Sequence, residues 1–304
     1  MITPLLALAL SAPSSLSETL PFAWERASRV TVTIAETPNL VPFEYSVGIK
    51  LYLNEKGGGV SLQRAEFQPK TVAGHTISDD ERSLLYREWL VRMEHLPNMR
   101  IDPAGQLEHF SNVEQAEDAF FAKMTEGLTS DQRAAARFQY GPGIDRELWM
   151  EPMRLEWQRW SAKWNGLPLA AGVYSVDRKL YLGMPRKEWL DVQAHVTVSE
   201  PFEEDGRERI RIESVVRLND ELMGTESVRY LHFIGAKPSV LGNLQSFETF
   251  YRDTAVFDVE TWLPVAVHSR RETRMGMETT RAAWVEEART EHRYSFEWQL
   301  REEG

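Results

Sequence analysis

Trp149, Met153, Trp157, Trp160 and Trp164 follow one another at +4, +4, +3 and +4 within the stretch Asp145–Gly166. On an α-helix that spacing gathers all five on one face. Arg154, Gln158, Arg159, Ser161 and Lys163 fall on the other side. Four of the chain's 10 tryptophans therefore share one stripe. At roughly 150–250 Å2 per aromatic side chain and roughly 25 cal/mol per Å2, burying four of them is worth about 15–25 kcal/mol gross. That is large beside a net stability of about 5–15 kcal/mol, so the helix is expected to belong to the folding core. Pro152 is expected near the helix start, where its missing N–H costs little. Asn165-Gly166, with Pro168 just beyond, is expected to close the helix in a left-handed cap.

A face this aromatic needs a large apolar cover, and most of the remaining chain alternates with period 2. Phe22, Trp24, Arg26, Ser28, Val30, Val32 and Ile34 read as one face of a long strand, and Phe43 to Leu53 repeat the pattern. Gly57-Gly58-Gly59 turns the chain into a returning strand, Val60 to Pro69. Beyond Val173 the alternation resumes in Leu190–Val198 and Ile210–Leu218, joined through a turn at Glu203-Glu204-Asp205-Gly206. Further strands are expected at Val228–Ile234, Phe247–Phe257, Val265–Thr273 and Ala282–Trp298. Long alternating strands with short turns indicate an antiparallel sheet with one face on a core.

Between the two sets of strands the period becomes helical. Ser78–Glu81 and Ser111–Glu114 have the form of capping boxes. Leu85, Trp89, Met93 and Leu96 follow the first, and Val113, Ala116, Phe120 and Met124 the second. Asp102-Pro103-Ala104-Gly105 is a turn signal between two short strands, and Thr129–Gln132 opens a further helix that ends near Gly141-Pro142-Gly143. Strands, then helices, then strands is the order of an α+β fold. A twisted sheet of so many strands curls. The chain is therefore expected to form a large curved antiparallel β-sheet, half-barrel-like, with an inserted helical segment packed on its concave face.

Charge and composition narrow the function classes. With 35 Lys and Arg against 46 Asp and Glu the formal charge is -11, which argues against a nucleic-acid partner. The absence of cysteine removes disulfides, thiol catalysis and cysteine zinc sites. Leu5–Leu10 is a short apolar core followed by the small residues Ser11–Ser15, which reads as a signal peptide despite the missing basic start. Residues 1–17 are expected to be this leader and 18–304 a single α+β domain with a helical insertion around residues 78–166, in a periplasmic or secreted protein. No stretch is apolar enough for an integral membrane span.

Wherever the sequence offers chemically capable residues, the plain reading prevails. The seven histidines form no i+3 to i+5 pair, so no helical zinc motif exists. His75 beside Asp79, Asp80 and Glu81 has ligand types, but acids favour a helix start in any case. His195, His232 and His268 fall on strands of one sheet and read as ordinary polar positions. Gly57–Gly59 lacks the lysine and helix that phosphate binding needs. No nucleophile elbow, P-loop or dinucleotide fingerprint is present. No catalytic residue, metal site or cofactor is expected.

The segment Asp258–Val267, DVETWLPVAV, resembles a motif of the lipoprotein-carrier superfamily of the bacterial envelope, the Lol-type carriers. In those proteins a strand ends in an acidic turn of the form D-x-x-T-x-L-P and the next strand begins at once. Asp258, Thr261, Leu263 and Pro264 match, while Trp262 stands where a glycine is usual. The resemblance implies a curved half-barrel whose concave face is apolar and covered by helices. This chain is longer than those carriers and is similar also to uncharacterised secreted proteins of like layout, for which no activity is implied.

The reading that follows is a non-enzymatic exported protein binding a lipid-like or other apolar ligand between curved sheet and helix. Its candidate ligand-binding residues are Trp149, Met153, Trp157, Trp160 and Trp164. The alternative readings are an envelope protein–protein interaction module in which the stripe is solid core, and a hydrolase with acids or histidines gathered by the fold. A lipid or apolar small molecule and an envelope protein are the partners these readings imply.

Overall fold

The computed structural model describes residues 19–37, 42–54, 58–72, 75–76, 91, 93–140, 146–181, 189–218, 244–278 and 282–302. Among the described residues thirteen strands form one open antiparallel sheet. The first six are β1 (Ala27–Thr37), β2 (Phe43–Leu53), β3 (Val60–Val72), β4 (His75–Thr76), β5 (Asn98–Ile101) and β6 (Leu107–Ser111). After the helices come β7 (Gly172–Tyr181), β8 (Trp189–Val198), β9 (Phe202–Glu204), β10 (Arg207–Leu218), β11 (Leu244–Asp258), β12 (Pro264–Glu278) and β13 (Ala283–Leu300). Their order is β6-β5-β3-β2-β1-β13-β12-β11-β10-β8-β7, with β4 beside β3 and β9 beside β10. Among the described residues three α-helices stand between β6 and β7: α1 (Val113–Met124), α2 (Ser130–Tyr140) and α3 (Arg146–Trp157). The α+β curved sheet expected from the sequence is the architecture found.

The two strand sets belong to one continuous sheet because β1 pairs with β13 from Ala27↔Leu300 to Thr37↔Glu291. The alternation does what its period requires. In β8 and β10 the apolar positions are buried and their neighbours face out. At Asp205-Gly206 both residues have positive φ, 54° and 73°, the conformation a two-residue hairpin between right-twisted strands demands. The helix expected to open at Thr129 does so with a reciprocal cap: Thr129 N–H donates to Gln132 Oε1 at 3.0 Å and Gln132 N–H to Thr129 Oγ1 at 3.3 Å. The box expected at Ser111–Glu114 does not form. Ser111 ends β6, and Asn112 is left-handed, its Oδ1 accepting from the Asn98 N–H at 2.8 Å.

Two other expectations are corrected. The first strand starts at Ala27, not Phe22, because Trp24–Arg26 is a 3-10 turn that carries Trp24 beneath the helix. The tryptophan helix is not α throughout. α3 passes into a π-helical turn, Gln158–Ala162, and Pro152 lies in the α-helical interior, beyond the first turn. The C-terminal cap is as expected, with Gly166 at φ +76° and its N–H given to Leu20 O at 2.9 Å. The leader at 1–17, the segments Ser78–Glu81 and Gly141–Gly143, Leu85, Trp89 and the strand expected at Val228–Ile234 lie outside the described residues.

The register divides the concave face into two halves. One rung across five strands is Ile212–Ala255–Val267–Tyr294–Ile34. The next same-face rung, about 7 Å along the strands, is Ser214–Asp253–Ser269–His292–Glu36. The face thus changes from apolar to polar within one pleat repeat, and α3 with its π turn lies across that border.

Candidate functional site

Over the apolar half the stripe is packed solid. Trp157, Trp160 and Trp164 are 0% exposed and Met153 1%. Trp24 meets Trp157 edge-on at 4.8 Å, stacks on Trp160 at 6.3 Å and meets Trp298 edge-on at 4.8 Å. Trp160 and Trp164 continue the cluster onto Phe296 and Phe257. The Trp157 indole N–H donates to Gly105 O at 3.1 Å, and that of Trp164 to Arg159 O at 2.8 Å. Gly105 sits at φ +78°, and a Cβ there would meet Asn165 Nδ2 at 2.0 Å, so only glycine lets the β5–β6 turn approach the helix end. The Trp149 side chain lies outside the described residues.

Glu156 pins the helix to the sheet. It forms a buried ion pair with Arg64 of β3, the two side chains 4% and 6% exposed, and accepts from Tyr45 Oη at 3.1 Å. Burial and the nearby Glu156 and Glu36 carboxylates push the Tyr45 phenol well above its ordinary range.

The opposite side of the same helical segment faces a recess of about 270 Å3, between the π turn and strands β7 and β10 to β13. Leu155, Leu180, Val216 and Tyr251 give it apolar walls. None of the four buried stripe residues lines it; its floor is the polar rung. Lys163 Nζ lies 2.7 Å from Asp253 and 3.3 Å from Ser269 Oγ. Arg178 of β7 donates to Ser214 Oγ at 3.2 Å and also to the Lys163 carbonyl. Arg159 donates to Tyr294 Oη at 3.2 Å. A second recess, of about 410 Å3, shares Gln158, Lys163, Arg178 and Lys179 with the first, so the cations stand between the two.

The electrostatics follow from this crowding. Burial, reinforced by Arg159 and Arg178, lowers the Lys163 ammonium to about 8, and Asp253 limits the fall. Burial also lowers Arg178, again opposed by Asp253. Burial would raise Glu36, but hydrogen bonding and charge from His292, together with Arg159 and Tyr45, hold it below the usual carboxylate range.

No family model matches the chain, and no curated protein does. A solved structure described as lipid–protein interactions in lipovitellin is similar over 91% of this chain and 25% of its own, with 10% identity and a TM-score of 0.43. The chain thus spans a quarter of that structure's length.

The other sequence candidates separate. His195 and His268 lie on β8 and β12 with β10 and β11 between them, and His268 pairs with Glu291 at 2.9 Å. His232 and the side chain of His75 lie outside the described residues. Among the described residues no group of three or more metal-ligating side chains gathers, and no helix is long and apolar enough to cross a membrane. The turn after β11 has the form expected of its motif: Asp258 Oδ1 accepts from both the N–H and the hydroxyl of Thr261 at 2.9 Å. Trp262 takes φ +59°, the left-handed conformation for which glycine is favoured. Sequence reasoning missed Arg159, Lys163, Arg178 and Asp253 as neighbours. The available signal was slight: Arg159 and Lys163 are four apart on the helix, and Ser214 interrupts an apolar strand face.

Proposed function

We propose that the protein is a non-enzymatic binder of a lipid-like amphiphile, held between the curved sheet and the helix in the polar half of the concavity. The carrying observation is the recess of about 270 Å3 whose sides are Leu155, Leu180, Val216 and Tyr251 and whose floor is polar. Ligand sites combine apolar walls with a few placed polar groups and have volumes of about 300–1,000 Å3, so this recess suits the head and first carbons of such a ligand. In this reading the stripe of Trp157, Trp160 and Trp164 holds the helical segment rigidly on the sheet and does not touch the ligand. The same proposal places the protein in the periplasm or outside the cell, where it would pass its ligand to or from an envelope protein.

The test is native mass spectrometry of protein purified without detergent, followed by organic extraction and by uptake of a fluorescent fatty acid. A bound amphiphile, displaced in a folded Leu180→Trp variant that fills the recess, is expected. An empty protein that takes up no fatty acid overturns the reading and moves attention to the outer surface.

A further inference from the structure

The recess is cationic in a chain that is acidic overall. Arg159 and Lys163 line it from the helical segment, and Arg178, Lys179, Arg270 and Arg271 from the sheet. Among the described residues Asp253 is the one carboxylate in its lining, and Glu36 lies just beyond, 3.4 Å from His292. The lining thus holds six lysines and arginines against one aspartate, whereas the whole chain has 46 acidic residues for 35 basic ones. The cations are also largely sunk into the fold, the Lys163 side chain being 15% exposed. Like charges gathered in one partly enclosed recess repel, and a second anion there would relieve that repulsion.

We propose that Arg159, Lys163 and Arg178 form an oxyanion-binding site, taking the phosphate or carboxylate of an amphiphile's headgroup while the chain runs out along Leu155, Leu180 and Val216. This rests on the reading of the recess as a binding site. The donors are chemically apt: two guanidinium groups provide planar paired N–H donors and the ammonium a point charge. Their anchors leave capacity to spare. Arg178 uses one nitrogen on Ser214 and one on a carbonyl, and Arg159 binds a phenol, a weak partner for a cation. Asp253 acts as the resident anion, holding Lys163 in place until a ligand arrives. The same oxyanion chemistry could be met by a lipid headgroup or by free phosphate.

The test titrates the full chain with three probes: a monoacyl phosphatidic acid below its micelle concentration, the monoacyl phosphatidylcholine of the same chain length, and inorganic phosphate. The expected result is binding of the phosphatidic acid at least about tenfold tighter than the choline lipid, with phosphate weaker than either. Arg178→Gln should lose about tenfold for the phosphatidic acid and little for the choline lipid. Asp253→Asn, which removes the competing anion, should bind phosphate several-fold tighter, an outcome loss of structure cannot produce. At pH 8.5 binding should take up protons, read by calorimetry in two buffers, and Lys163→Met should abolish the uptake. Equal affinity for both lipids, unchanged in Arg178→Gln, overturns the oxyanion site and leaves the amphiphile reading standing. Phosphate binding as tightly as the phosphatidic acid keeps the oxyanion site and overturns the amphiphile reading. Binding of none of the three overturns both.

Discussion

Two halves of one concave face meet along a line that a single helical segment straddles. On one side Trp157, Trp160 and Trp164 lock into Trp24, Phe257 and Phe296 with no exposed surface. On the other, Arg159 and Lys163 from the same turns overhang a recess floored by Ser214, Asp253, Ser269 and His292. The difference teaches that the packed core and the open polar recess are divided by helix face and not by element. The π turn is where the division is made. One extra residue per turn changes the angle between successive side chains, and such insertions recur at functional sites. Here Lys163 N–H reaches back five residues to Gln158 O, at 3.4 Å.

Substitutions on the packed side should show the largest effects. Trp157→Ala or Trp160→Ala should each cost about 3–5 kcal/mol in urea unfolding, whereas Leu180→Ala in the recess should cost less than about 1 kcal/mol. Similar losses at the two places would erase the comparison. At the border, Glu156→Ala leaves the buried Arg64 guanidinium without its carboxylate. It should destabilise by about 3–5 kcal/mol, and the double change of Glu156 and Arg64 to apolar residues should recover part of that loss in a mutant cycle.

The polar half should instead reveal itself through pH. Lys163 has a folded value of about 8, below its ordinary 10.5. The unfolded chain therefore binds the extra proton between these values, and stability from this residue rises across that window. Lys163→Met removes the dependence. The difference between wild type and variant should shift in favour of the wild type by roughly 2–3 kcal/mol from pH 7.5 to 10.5. A constant difference in urea melts across the range would mean that the ammonium is well solvated and the recess less enclosed. The smallest effect is expected at the β11–β12 turn, at the edge of the packed half. Trp262→Gly relieves a left-handed backbone at the cost of partial packing, so its unfolding free energy in urea should move by less than about 1 kcal/mol either way.

How much of this was legible in the sequence depends on the range of the interaction. Strand positions in β8 and in β10 to β13 could be read because alternation is a local property, whereas the short β9 falls where a turn was expected; Ile210, Ile212, Val216 and Leu218 announce their face without reference to a partner. The stripe was legible for the same reason, as was the Asp102–Gly105 turn. Trp24 was misplaced on a strand because a 3-10 turn of three residues leaves no periodic trace. The division of the concave face was not legible at all. Ser214, Asp253, Ser269, His292 and Glu36 lie on five strands drawn from both ends of the chain.

The sequence by itself determined that this chain makes alternating strands and an aromatic helix face that must be covered, since both follow from side-chain spacing along a few turns or pleats. Only the tertiary structure decided that the covered face is closed and its reverse is charged and open. Register between distant strands is fixed by the summed burial of whole faces. A single serine, aspartate or lysine contributes too little to that sum to declare its neighbours in advance.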